Sequence, residues 1–199
     1  MLRRMIDNRL RLLILQHPHE RREPLSTAAS ITETLARARL VVGLSWPNLA
    51  RALGAAADPR RWAVLYLGSA QPAALAPGDE IIALGRGGEP IADPRGVLRR
   101  LDGVVLIDGN WSQAKTLWWR NPWLLKLQRL ILNPEQPARL GRLRREPRRE
   151  ALSTIEAAAL VLRHAEAGPQ AAEALLAALD RLMAEASGSR AAPAAAEPD

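Results

Sequence analysis

GVVLIDGNWSQAKTLWW, from Gly103 to Trp119, is the stretch on which the fold turns. Val104 to Ile107 is a short apolar, β-branched run, the pattern of a strand buried on both faces. It ends at Asp108-Gly109, and the pattern predicts a helix opening at Asn110 or Trp111 and running through Ala114, Lys115 and Leu117. A carboxylate at the carboxyl end of a buried strand, just ahead of a helix, is where open α/β sheets place their chemistry. Gly109 suits a sharp turn and the close approach of a ligand. Asp108 and Asn110 also suit the plainer task of capping the helix.

Upstream, Arg11 to Gln16 reads as a first strand, running into Gln16-His17-Pro18-His19-Glu20. Two histidines and a carboxylate there admit a metal reading, but a two-histidine loop makes a poor zinc site, and a polar loop beside a pocket is preferred. Ser26 to Ala38 reads as a helix and Leu40 to Leu44 as a strand, a β-α-β unit within 35 residues or so. Pro47 to Leu53 is a short helix stopped by Gly54. Trp62 to Leu67 and Glu80 to Leu84 are strands, with loops expected at 70–79 and over GRGGEPIADPRG, 85–96. Neither loop has P-loop spacing and no GxGxxG occurs, so nucleoside triphosphate and dinucleotide readings lack support.

Downstream, Asn121-Pro122 breaks the chain, Trp123 to Gln128 makes a helical turn, and Leu130 to Leu132 is a strand ending at Asn133. Trp111 and Trp118 are two turns apart and share a helix face, with Trp119 to one side. Residues 136–150 carry Arg139, Arg142, Arg144, Arg145, Arg148 and Arg149 against only Glu146 and Glu150. Such a run is either a solvated face or an electrostatic footprint for RNA phosphates, and its place after a strand favours the second. Ser153 to Glu156 fits a capping box and starts a helix to about Ala165. A last helix spans about Gln170 to Ala186, and 187–199 are expected to be disordered.

The chain has 199 residues and an apolar share of 48%, the size and composition of one globular domain with a real core. No apolar run is long enough to span a bilayer, and the N-terminal basic and apolar patch lacks the features of a signal peptide. There is no cysteine, hence no disulfide and no cysteine-ligated zinc, and the default compartment is cytoplasmic. Twenty-eight basic residues against 21 acidic ones give +7, nearly all of it from Arg, which pairs with phosphate and stacks on bases.

Four blocks together resemble the DTW-domain family: LQHPHE (Leu15–Glu20), the Ser26-Thr27-Ala28 helix start, DGNWSQAK (Asp108–Lys115) and LRREPRREALSTIEA (Leu143–Ala157). The third is similar to the family's D-x-T-W motif with Asn110 in place of Thr, and the last to its L-R-x-x-P and L-S-T-x-E-A blocks. The cysteine-rich zinc segment that precedes the domain in many members has no counterpart, and a Leu/Gly/Arg sequence around Leu140 and Gly141 replaces the family's Ser-x-Tyr.

The resemblance implies one DTW domain over 1–186. It implies an α/β fold, SPOUT-like, with a mostly parallel sheet, helices on both faces and a C-terminal trefoil knot. The implied reaction moves the 3-amino-3-carboxypropyl group of S-adenosyl-L-methionine to N3 of a tRNA uridine and releases methylthioadenosine; rRNA is a lesser alternative. Asp108 would be the base. Thr27, Ile107, Gly109, Leu132, Asn133, Leu143, Arg144, Ser153 and Thr154 would hold the cofactor. His17, Glu20, Asn110, Trp111, Lys115, Arg139, Arg142, Arg145 and Arg148 would hold the RNA. No metal and no membrane is expected, and the chain would be a monomer or weak homodimer. The rival readings are a SPOUT-type methyltransferase, releasing adenosylhomocysteine, and a non-catalytic RNA-binding protein of the same fold.

Overall fold

A computed structural model of the chain describes residues 5–22, 27–65, 80–134, 139 and 152–191. Six strands form one sheet in the order β2-β1-β5-β3-β6-β4. These are β1 (Arg11–Gln16), β2 (Ala38–Val42), β3 (Trp62–Leu65), β4 (Ile81–Leu84), β5 (Gly103–Asp108) and β6 (Gln128–Leu132). Every pairing is parallel except that of β4 with β6, which closes one edge. Leu12 to Leu15 of β1 and Val104 to Leu106 of β5 are at most 1% exposed, because both strands are covered on both faces. At about 1.5–3 kcal/mol per buried aliphatic side chain, this pair anchors the fold.

Alternation along the strands splits the core in two. Leu12, Ile14, Val104 and Leu106 face one layer, packed under α1 (Ala28–Thr34), α3 (Pro94–Arg100), α5 (Thr154–Ala165) and α6 (Gln170–Ala191). Leu13, Leu15, Trp62, Val64 and Val105 face the other. That layer holds α2 (Leu49–Leu53), Trp118 of α4 (Trp111–Arg120) and a 3-10 turn at Pro122–Lys126. The expected parallel sheet with helices on both faces is therefore present. The described residues do not show the implied C-terminal trefoil knot; of 135–151 only Arg139 is described.

Several boundaries differ from the sequence reading. Helix α1 stops at Thr34, because Leu35 turns extended and bridges Ile6. Strand β2 accordingly starts at Ala38, two residues early. The loop expected at 85–96 contains the start of α3, where Asp93 caps the Gly96 amide and Pro94 opens the helix. Ser187 to Ala191, expected to be disordered, continue α6. The expectations for Tyr66-Leu67 and the 70–79 loop lie outside the described residues.

The N-terminal segment is tied down at Arg9 and Leu10. Arg9 donates to the carbonyls of Leu98, Leu101 and Ala165, at the C-terminal ends of α3 and α5. The Glu166 carboxylate returns the contact, accepting from the amides of Arg9 and Leu10.

Candidate active site

From β1 the chain crosses through α1 to β2 on one side; from the neighbouring β5 it crosses through α4 and beyond β3 to β6 on the other. The carboxyl ends of β1 and β5 are thus a topological switch point, the position where open α/β sheets form their ligand crevice. Gln16 and Asp108 are the last residues of those strands and lie in register.

Both side chains follow Ile14 and Leu106 onto the α5 face. Gln16 Nε2 donates to Asp108 Oδ2 at 2.9 Å, and the Thr154 hydroxyl donates to Asp108 Oδ1. Asp108 is 6% exposed and has no cationic partner among the described residues. Its own backbone carbonyl accepts from the His17 amide at 3.0 Å, which fixes the loop that leaves β1.

Thr154 is delivered by the start of α5. Ser153 presents its amide (3.0 Å) and hydroxyl (2.5 Å) to Glu156 Oε2, and the Arg139 amide donates to Glu156 Oε1 at 2.5 Å. Glu156 is thereby fully engaged in organising the helix start. Thr27, buried just ahead of α1, accepts a 3.4 Å bond from the Ile155 amide at its hydroxyl. Thr27, Asp108, Ser153 and Thr154 are therefore brought together. Gln16, absent from the residues selected by sequence, joins them; a polar residue closing an otherwise apolar strand was its only signal.

Other selected residues take different places. Ile107 turns its side chain to the opposite core layer. Gly109 follows Asp108 directly, and a Cβ there would lie 2.9 Å from Gln113 Cβ. By strand register Leu132 stands level with Asp108 two strands away, about 10 Å. The Asn133 amide is spent on the Glu80 carbonyl at 2.9 Å.

Asn110 does cap α4: its carboxamide oxygen accepts from the Gln113 amide at 3.1 Å while Gln113 Oε1 accepts from the Asn110 amide at 2.8 Å. Trp111 and Lys115 are exposed on α4, with Nζ 5.3 Å from the indole centroid. Glu20 is buried in the 3-10 turn Glu20–Arg22. His17 is half-buried; its Nδ1 accepts from the His19 amide at 3.3 Å. Partial burial, and secondly the His19 charge, hold the His17 imidazole below its usual range.

The Arg139 guanidinium pairs with Asp180 of α6 at 3.2 Å, so it serves helix packing as well as charge. His164 of α5 places its Nε2 3.0 Å from Glu80 Oε2. Leu143, Arg144, Arg142, Arg145 and Arg148 lie outside the described residues. Among the described residues no group of three His, Asp or Glu could hold a metal ion, and no helix is long and apolar enough to cross a membrane.

The DTW domain, as a family model, matches residues 1–186. The chain belongs to the DTW-domain family. No curated protein and no solved structure matches it. Membership of the DTW-domain family is consistent with an activity in tRNA modification, and the match spans every residue of the site around Asp108.

Proposed function

We propose that this DTW-domain protein transfers the 3-amino-3-carboxypropyl group of S-adenosyl-L-methionine to N3 of a uridine in tRNA, releasing methylthioadenosine. The observation that carries the reading is the setting of Asp108. It is buried at the switch point and held by two neutral donors, Gln16 and Thr154. Each carboxylate oxygen accepts one of these bonds and keeps further lone-pair capacity. Among the described residues, Asp108 has no ion pair to break before it accepts a proton.

The residues present fit an amino acid bearing a sulfonium. A buried carboxylate without a cationic partner among the described residues complements the positive charge. The first turn of the 12-residue α5 offers the positive end of a helix dipole to a carboxylate. The ends of β5 and β6, level with each other, offer backbone groups to a planar base. When bound, S-adenosyl-L-methionine supplies an electrophilic carbon beside a good leaving group.

Asp108 then accepts the N3 proton of uridine, a weak acid that needs a positioned base. Gln16 and Thr154 keep the carboxylate aimed, and the protein's main contribution is orientation. The reading places the protein in the cytoplasm, with tRNA as its partner.

The test uses purified protein, S-adenosyl-L-methionine and tRNA, with nucleosides and small products read by mass spectrometry. Wild type should yield methylthioadenosine and an aminocarboxypropylated uridine, and Asp108→Asn should lose about 100-fold or more of the rate while staying folded. Undiminished methylthioadenosine release by the variant, or adenosylhomocysteine as the product, would sink the reading.

A further inference from the structure

Helix α4 carries its most apolar exposed groups on the side away from the core. Trp111 is 51% and Trp119 78% exposed, and exposed Lys115 lies between them. The three stand at i, i+4 and i+8, so the tryptophans lie about 12 Å apart along the axis and about 80° apart around it. Trp118, by contrast, packs against the core layer under α4. Leu125, on the following 3-10 turn, adds a further exposed apolar side chain at 65%.

The charge of this stretch of chain is one-sided. From Gly109 to Pro134 the chain has no Asp or Glu, whereas Lys115, Arg120, Lys126 and Arg129 are all cationic. Arg120 and Lys126 are exposed. The strip also begins three residues after Asp108, at the carboxyl edge of the sheet.

Flat aromatic surfaces spaced along one flank of a helix, with a cation between them and no carboxylate on that stretch of chain, complement unpaired bases on a phosphate backbone. A second copy of the chain fits poorly. A two-fold pairing would set the same cations opposite one another, and two indoles with one leucine offer far less apolar area than a stable interface of about 800 Å² per partner.

We infer that the α4 face formed by Trp111, Lys115 and Trp119 is a stacking track for single-stranded RNA adjoining the nucleotide at Asp108. Trp119 stacks on a base beyond the reacting one, and Lys115 meets the intervening phosphate. The inference rests on the RNA-modifying reading above and adds the form of RNA that the site takes: an unpaired strand and not a duplex.

The test measures binding without transfer. A fluorescein-labelled oligouridylate, alone or annealed to its complement, is titrated with the full chain at several salt concentrations, following anisotropy. Trp119→Ala should weaken single-strand binding about 5- to 100-fold and duplex binding far less, with Trp119→Phe restoring most of the loss. Its salt dependence should stay that of wild type, while Lys115→Gln should lower the slope by about 0.7. Thermal melting should show Trp119→Ala as stable as wild type.

Equal losses for both RNA forms, or no loss, would overturn the proposal. So would a wild-type dimer that Trp119→Ala converts to monomer, or binding to anionic vesicles that the substitution abolishes while oligouridylate binding persists. Failure of the transfer reading is separable: a Trp119-dependent, single-strand-selective affinity in a protein that makes no methylthioadenosine leaves this inference standing.

Discussion

Thr154 donates its hydroxyl to the carboxylate of Asp108, joining the first turn of α5 to the last residue of β5 across 46 positions of sequence. The bond gives the carboxylate an orientation that its own strand cannot supply. Thr154→Val keeps the shape and removes the donor. It should lower stability by about 1.5–3 kcal/mol in urea unfolding and slow methylthioadenosine release by roughly 10- to 100-fold through misplacement of the base. Thr154→Ser should recover both. A valine variant with wild-type turnover would show that this bond does not position the carboxylate.

Asn121 is the polar hub under the other core layer. It is fully buried, donates to the carbonyls of Leu44 (3.0 Å) and Leu117 (2.8 Å), and accepts from the Trp46 amide (2.8 Å) and Trp123 Nε1 (3.2 Å). Asn121→Ala strands several buried groups at once, and denaturant titration should register a loss of about 3 kcal/mol or more. A loss under about 1 kcal/mol would mean that those groups find other partners.

Gly103 opens β5 with the Trp62 indole lying over it. A Cβ there would sit 2.5 Å from the ring, and Trp62 is itself 1% exposed and hemmed in. Gly103→Ala should therefore cost about 1–3 kcal/mol by overpacking. Adding Trp62→Leu should make the alanine far less damaging, because the two changes share one space. Additive effects in that double-mutant cycle would refute the steric account.

His17 favours its neutral form in the folded chain, since burial first and His19 second hold its pKa below 6.5. The unfolded chain therefore binds the proton more readily, and stability falls as pH drops through and below the unfolded value. Between about pH 7 and 5 the urea midpoint of wild type should decline more steeply than that of His17→Asn. Parallel curves would show that His17 makes no contribution. The effect is modest, because the imidazole is only half-buried.

Where hydrophobic pattern and local caps decide, the sequence was readable. β1 ends where its apolar run meets Gln16, and α5 starts at its Ser153–Glu156 signal. The errors have particular causes. Leu35 continues the apolar stripe of α1 but is claimed by a bridge to Ile6, a partner 29 residues away. The Gly- and Pro-rich 85–96 stretch read as loop; yet a Cβ at Gly96 would collide with the Asp93 carboxylate, so the glycine is what admits the cap. Asp108 was legible as a strand-end carboxylate beside a helix. Gln16 was not, because its role depends on which strands are neighbours, and nothing local in β1 says that β5 lies beside it.

Arg9 holds the ends of two helices while Glu166 holds the backbone of Arg9 and Leu10. A protease that clipped the chain just after Arg9 would uncap both helices in one cut. Limited digestion should thus leave either the whole molecule or small peptides, with no trimmed survivor starting at Leu10.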